Sequence, residues 1–380
     1  MTLTAATLTA LGFALAYVNG ANDVSKGIAT LVGSGLSNYR GAILWGTLWT
    51  AIGGLLGSVL ATAMVSTFGH GLLAPSTTQT LSAGVATLLG AAAWVLIATR
   101  TGLPVSTTHA IVGSLVGVAA VAYGVDGVRW SALGAKVVLP LLLTPLLSLA
   151  LVTLLLKSTR RFAGSAEAHL PDCLCAEVAP AASVPGGPGA SVAPMYKMRL
   201  QIVAAPQAAC AAERPRAARL TLDHLHWFTA GAASFARGMN DAPKIVALVL
   251  AASALQDTSS TVGGLAQPPL FLVVTTGMVL GSLVGGRRVT RVLAEKVTPM
   301  DHREGFLANL VTAGLVTAGA TLGLPMSTTH VSSGGIIGAG AQRSSLNPKT
   351  LKEILLAWVV TLPAAAALGI GALLLGRWLT

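Results

Sequence analysis

The chain has 380 residues, of which 53% are hydrophobic and only 10% charged, where a soluble domain carries about 25% charged residues. That balance excludes a soluble globular protein. The formal net charge of +11 does not point to nucleic acid, because no basic stretch is interleaved with aromatic side chains that would stack on bases.

Apolar stretches long enough to cross a bilayer recur at 4–19, 42–66, 81–99, 109–123, 132–156, 228–254, 268–286, 306–322 and 351–376, with a shorter one near 331–341. Some of these can contain a turn, so about 10–12 membrane-embedded helical pieces are expected. The stretches are rich in Gly, Ala and Leu and do not alternate, which argues for packed helices and against a barrel. The expected class is an all-α integral membrane protein. The first segment has no positively charged start and runs directly into a polar motif, so it reads as a retained helix and not as a signal peptide.

That motif is Gly20-Ala21-Asn22-Asp23-Val24-Ser25-Lys26. An ionisable residue beside an apolar run is costly in a membrane and usually functional. A helix-capping role is the simpler alternative for a single Asn-Asp pair. On a helix Asp23 and Lys26 lie at i, i+3, so the carboxylate has a cation within reach. Further on, Gly102-Leu103-Pro104-Val105-Ser106-Thr107-Thr108-His109 reads as a break followed by a new helix start. A helix N-terminus presents unpaired N–H groups and a positive partial charge, a ready site for an oxyanion. Ser106, Thr107 and Thr108 add hydroxyls there. Plain capping accounts for some of them but leaves His109 unexplained.

Residues 157–219 contain Pro180, Pro185, Pro188, Pro194 and eight basic side chains. They read as a flexible basic linker, held on the cytoplasmic side by the positive-inside rule. Cys173, Cys175 and Cys210 all fall there, and nothing nearby completes a metal-ligand set. No metal or other cofactor is expected.

The second half then repeats the first. Gly238-Met239-Asn240-Asp241-Ala242-Pro243-Lys244 follows at an offset of 218, and Gly323-Leu324-Pro325-Met326-Ser327-Thr328-Thr329-His330 at an offset of 221. Arg237 precedes the second motif, where the first has Asn19. A second basic cluster spans Arg287 to Arg303, and Asn309 sits in a small-residue helix that could line the site. Polar motifs duplicated in register divide the chain into membrane repeats 1–156 and 220–380. They predict a two-repeat secondary transporter with broken helices and its substrate site between the repeats. Whether the repeats are parallel or inverted depends on the number of crossings in each half.

In these residues the chain resembles the inorganic phosphate transporter (PiT) family, the type III phosphate cotransporters and their bacterial permease relatives. The resemblance covers both halves and leaves out only 157–219. It implies inverted halves whose hairpin tips and broken helices hold inorganic phosphate near the midplane of a bacterial inner membrane, with a homodimer plausible. It carries over Asn22, Asp23, Ser106, Thr107, Thr108, Asn240, Asp241, Ser327, Thr328 and Thr329 as the environment of substrate and coupling ion. Lys26 and Lys244 depart from the sodium-coupled pattern, which has Asn there. An ammonium has no acceptor oxygen for Na+ and supplies the cation's charge itself. Proton coupling is therefore expected, with Asp23, Asp241, His109 and His330 as proton-carrying candidates. Sulfate, or another tetrahedral oxyanion, and sodium-coupled phosphate symport are the alternatives. An intramembrane aspartyl protease is not expected, since each aspartate has a lysine to keep it ionised.

Overall fold

The computed structural model describes residues 3–69, 71–75, 77, 80–163, 173–180, 198–205, 216–253 and 267–379. The first half forms α1 (Leu3–Asp23), α2 (Ser25–Gly33), α3 (Tyr39–Leu60), α4 (Thr62–Gly69), α5 (Leu81–Thr101) and α6 (Thr107–Tyr123). After short turns at Trp130–Leu133 and Gly134–Val138 comes α7 (Leu139–Ala163). The second half forms α8 (Leu222–Ser253), α9 (Gln267–Gly285), α10 (Arg287–Arg291), α11 (His302–Thr321), α12 (Thr328–Ala341) and α13 (Pro348–Leu379).

Among the described residues six segments are long and apolar enough to cross a membrane: Leu3–Gly33, Tyr39–Leu60, Leu81–Thr101, Trp130–Arg161, Pro268–Gly285 and Pro348–Leu379. Their outer faces expose Val59, Leu142, Leu146 and Val359, while the interior holds lysines, aspartates and an arginine. A water-soluble protein does not expose so much apolar surface; here lipid covers it. Helix α8 is equally long but carries Asp223, Arg237, Asp241 and Lys244.

The two sequence repeats do not fold as separate bodies. Helix α1 packs on α9 of the other half, and its counterpart α8 packs on α3. In the same exchanged way α6 packs on α13, and α12 on α7. Glycine makes these crossings close. A Cβ at Gly20 would fall on the Met278 carbonyl, and one at Gly53 on the Phe235 carbonyl. Lipid supplies no hydrophobic drive between helices, so this backbone-to-backbone approach is what holds them.

Both breaks predicted before the Ser-Thr-Thr-His segments are present and are built alike. Gly102 (φ 80°) and Gly323 (φ 68°) adopt the left-handed conformation that glycine tolerates. The next residues close the turns, Leu103 donating to the Ala98 carbonyl at 2.8 Å and Leu324 to that of Gly319 at 2.9 Å.

Parts of 157–219 hold regular structure among the described residues. Helix α7 runs on to Ala163, and a three-stranded antiparallel sheet follows. Strand β1 (Cys173–Pro180) lies between β2 (Met198–Ala205) and β3 (Arg216–Thr221), with Cys173 opposite Ala205 and Thr221. A ladder pairs backbone groups with one another and so needs little apolar core to form. Cys173 is buried and disulfide-bonded, so its sulfur is not free for a metal. Pro185, Pro188, Pro194 and Cys210 lie outside the described residues.

Candidate functional site

The chain breaks where the first motif places its polar residues. Helix α1 ends at Asp23 and α2 starts at Ser25. The last carbonyls of a helix have no intrahelical partner. Lys26 supplies one: its Nζ donates to the Asn22 carbonyl at 2.8 Å, to Asn22 Oδ1 at 2.6 Å and to Asp23 Oδ1 at 2.8 Å. Asn22 in turn donates from Nδ2 to Thr99 Oγ1 at 3.0 Å and to the Leu103 carbonyl at 3.1 Å.

The second motif lies inside the continuous helix α8, with Pro243 within it. Asn240 donates from Nδ2 to Asp241 Oδ1 at 2.9 Å and to the Met326 carbonyl at 3.0 Å. Lys244 donates to Thr108 Oγ1 at 2.7 Å, to Asp241 Oδ1 at 3.2 Å and to the Met326 carbonyl at 3.3 Å.

Two helix N-termini meet beside these motifs. Ser106 caps α6 by accepting from the His109 N–H, and Ser327 caps α12 by accepting from the His330 N–H. Ser327 Oγ also donates to Ser106 Oγ at 2.9 Å, joining the two caps. Around this contact equivalent positions exchange partners: Thr108 donates to the Met326 carbonyl and Thr329 to the Val105 carbonyl. Thr107 Oγ1 donates to Asp23 Oδ2 at 3.1 Å, and Thr328 is buried at the first position of α12. All ten residues implied by the resemblance, with Lys26 and Lys244, are thus buried around one junction of α1, α2, α6, α8 and α12.

Two more residues join this junction: Asn19, which was not expected there, and Arg237, which the sequence marked only by its place before the second motif. Asn19 donates from Nδ2 to Asp23 Oδ2 at 3.0 Å and to Asp241 Oδ2 at 3.1 Å, bridging the two carboxylates. Arg237 is only 1% exposed. Its Nη2 donates to Thr50 Oγ1 at 2.7 Å and lies 3.5 Å from Ser282 Oγ, while Nε and Nη1 have no partner among the described residues. The offset of 218 sets Asn19 and Arg237 at the same place in the two motifs, and that was the available signal. Both Asp23 and Asp241 lie within electrostatic range of the guanidinium.

His109 and His330 stand behind the caps. Their rings meet edge to face with centroids 4.4 Å apart, and His330 packs on Trp358 at 3.9 Å. His109 Nδ1 and both ring nitrogens of His330 lack partners among the described residues. Asn309 donates to the Gly27 carbonyl and to Thr30 Oγ1, so it fastens α2 to α11.

With each group in its ordinary ionised form, Lys26, Lys244 and Arg237 outnumber Asp23 and Asp241 by one charge. A buried excess of positive charge beside two helix N-termini and unpaired N–H donors is suited to one small anion.

The model of the phosphate transporter family matches residues 19–369. The chain is 32% identical to inorganic phosphate transporter 2-1, chloroplastic, of Arabidopsis thaliana, over 94% of this chain and 70% of that protein. Among solved structures, one described as the sodium-dependent phosphate transporter superposes with a TM-score of 0.79 at 22% identity, covering 100% of both chains.

Proposed function

The chain belongs to the phosphate transporter family, and from that premise we propose that it carries inorganic phosphate together with protons and without sodium. It is a multi-pass integral membrane protein that transports inorganic phosphate, and it is not an enzyme. The finer reading rests on one observation, the burial of three basic and two acidic side chains together with a lysine against each aspartate. A sodium ion needs acceptor oxygens, which a proton carried on phosphate does not. Lys26 Nζ takes up Asn22 Oδ1, Asp23 Oδ1 and the Asn22 carbonyl, oxygens that would otherwise be open to a cation.

On this reading phosphate sits where the caps of α6 and α12 meet. Ser106, Thr107, Thr108, Ser327, Thr328 and Thr329 supply first-turn N–H donors, since the hydroxyls of Thr107, Thr108, Ser327 and Thr329 already donate within the protein, and Asn22 and Asn240 stand beside them. Lys26, Lys244 and Arg237 supply the balancing charge. Asp23 and Asp241 accept the hydrogen that phosphate keeps near neutral pH; sulfate has none to donate and would be repelled. The meeting of equivalent helices by their N-termini supports inverted repeats.

Uptake of labelled phosphate into proteoliposomes tests the proposal. Uptake is expected to persist in choline buffer, to collapse with a protonophore, and to resist competition by sulfate. Uptake that requires Na+ and ignores the protonophore would overturn proton coupling; sulfate competing as well as phosphate would overturn the discrimination.

A further inference from the structure

A second basic site lies at the membrane surface, apart from the buried junction. A cavity of about 790 Å³ opens between α1, α5, α9 and α10. Four guanidinium groups line it, those of Arg100, Arg287, Arg288 and Arg291, with a single carboxylate, Glu295. Its height is set by helix ends. Arg100 is in the last turn of α5, Gly285 ends α9, and Tyr39 begins α3. Helix ends lie where a bilayer places its headgroups.

The charges there are unevenly matched. Arg291 Nε pairs with Glu295 Oε2 at 3.3 Å, and Tyr39 also donates its hydroxyl to Glu295. Those hydrogen bonds, Tyr39's first, hold the Glu295 carboxyl below its ordinary range, so it stays ionised against Arg291. Arg100, Arg287 and Arg288 form no ion pair among the described residues. Two of the three are nevertheless held in place. Arg287 lies over the Tyr39 ring, 5.2 Å from its centroid, and Arg288 Nη1 donates to the Arg100 carbonyl at 2.8 Å. Guanidinium forks fixed in this way match the oxygens of a phosphoryl group.

The rest of the wall is mixed, with Val18, Leu96 and Val284 beside Tyr17 and Thr99. Leu96 and Val284 line the cavity, and Val284 is 72% exposed near the end of the apolar segment Pro268–Gly285. A free phosphate ion would use the arginines and leave this wall without a purpose. A phospholipid uses both. We propose that the cavity binds an anionic phospholipid, with its phosphoryl oxygens on Arg100, Arg287 and Arg288 and the start of an acyl chain along Leu96 and Val284. Basic pockets between membrane helices take such headgroups through the same combination of charge and apolar wall. Thr99 lines the cavity and also accepts from Asn22, so the lipid would adjoin the phosphate junction without occupying it.

Native mass spectrometry of the purified, delipidated full chain tests this, with phosphatidylglycerol and phosphatidylcholine as probes. The wild type is expected to retain phosphatidylglycerol at least about tenfold better than phosphatidylcholine. Arg287→Gln combined with Arg288→Gln should abolish that preference by removing charge. Val284→Trp should lower retention of phosphatidylglycerol with every charge kept, by narrowing the mouth. Millimolar inorganic phosphate should not displace the lipid. Equal retention of the two lipids by the wild type, an unchanged preference in the double arginine variant, unchanged retention of phosphatidylglycerol in Val284→Trp, or displacement by free phosphate would each overturn the proposal. Because the readout is lipid retention in the absence of gradients, it stands or falls independently of proton coupling. A variant that fails to fold leaves the wild-type preference and the phosphate competition as the deciding measurements.

Discussion

Lys26 directs all three of its hydrogen bonds to its own motif, whereas Lys244 reaches from the second half to Thr108 in the first. The two lysines hold the same position in a duplicated sequence, so the difference comes from the backbone around them. At Val24 the chain passes from α1 to α2 and leaves helix-end carbonyls that need donors. The Lys26 ammonium answers that local need. In the second copy α8 continues past Asp241, and Lys244 is free to extend toward α6. Asn19 and Arg237 diverge similarly. Asn19 ties the two carboxylates together, while Arg237 brings a charge and two guanidinium nitrogens, Nε and Nη1, unpaired among the described residues. One copy therefore reads as the scaffold of the junction, and the other as the part with bonding capacity left over.

Removing each lysine is the strongest way to break this comparison. Lys26→Met strands Asp23 and the end of α1, and should lower stability by about 3–5 kcal/mol in detergent unfolding. Adding Asp23→Asn should restore much of that loss, because the stranded charge goes with it. Lys244→Met should destabilise less, and equal losses in the two variants would remove the distinction between scaffold and bridge.

The carboxylates come next. Asp23→Asn and Asp241→Asn should each reduce phosphate uptake at least about tenfold, roughly 1.4 kcal/mol, while leaving membrane insertion intact. Near-normal uptake in either would mark that copy as structural only.

Arg237→Gln should raise KM for phosphate by about tenfold and leave kcat less affected, since the lost charge acts on binding. Arg237→Lys should recover most of the affinity. An unchanged KM in the glutamine variant would show that Arg237 only packs against Thr50 and Ser282.

The smallest effects separate two equivalent threonines. Thr108→Val removes a hydrogen bond to an ammonium and should lower uptake about fivefold. Thr329→Val removes a bond to a neutral carbonyl and should lower it about twofold. Uptake assays on the pair sharpen the comparison, and a reversed order would contradict it.

What the sequence determined by itself is what depends on short range. Apolar runs announced a membrane protein because a bilayer sets a minimum helix length. The i, i+3 spacing of Asp23 with Lys26 and of Asp241 with Lys244 made both ion pairs legible, because helical pitch brings such residues together. Gly102 and Gly323 with the prolines beside them marked breaks that the structure places there, since left-handed turns favour glycine. Tertiary structure decided everything that joins distant residues. Asn19 meets Asp241, Lys244 meets Thr108, and the cap of α6 meets the cap of α12 only because glycine-lined crossings interlace the halves. The isolation of Arg237 is equally a matter of packing, because only the placement of α3 and α9 decides which donors find partners. The strands within 157–219 escaped the sequence reading because proline and small-residue content measures how little core a segment can bury, not whether its backbone finds a ladder partner. Local spacing fixes what each motif needs, and helix packing fixes which residue meets the need.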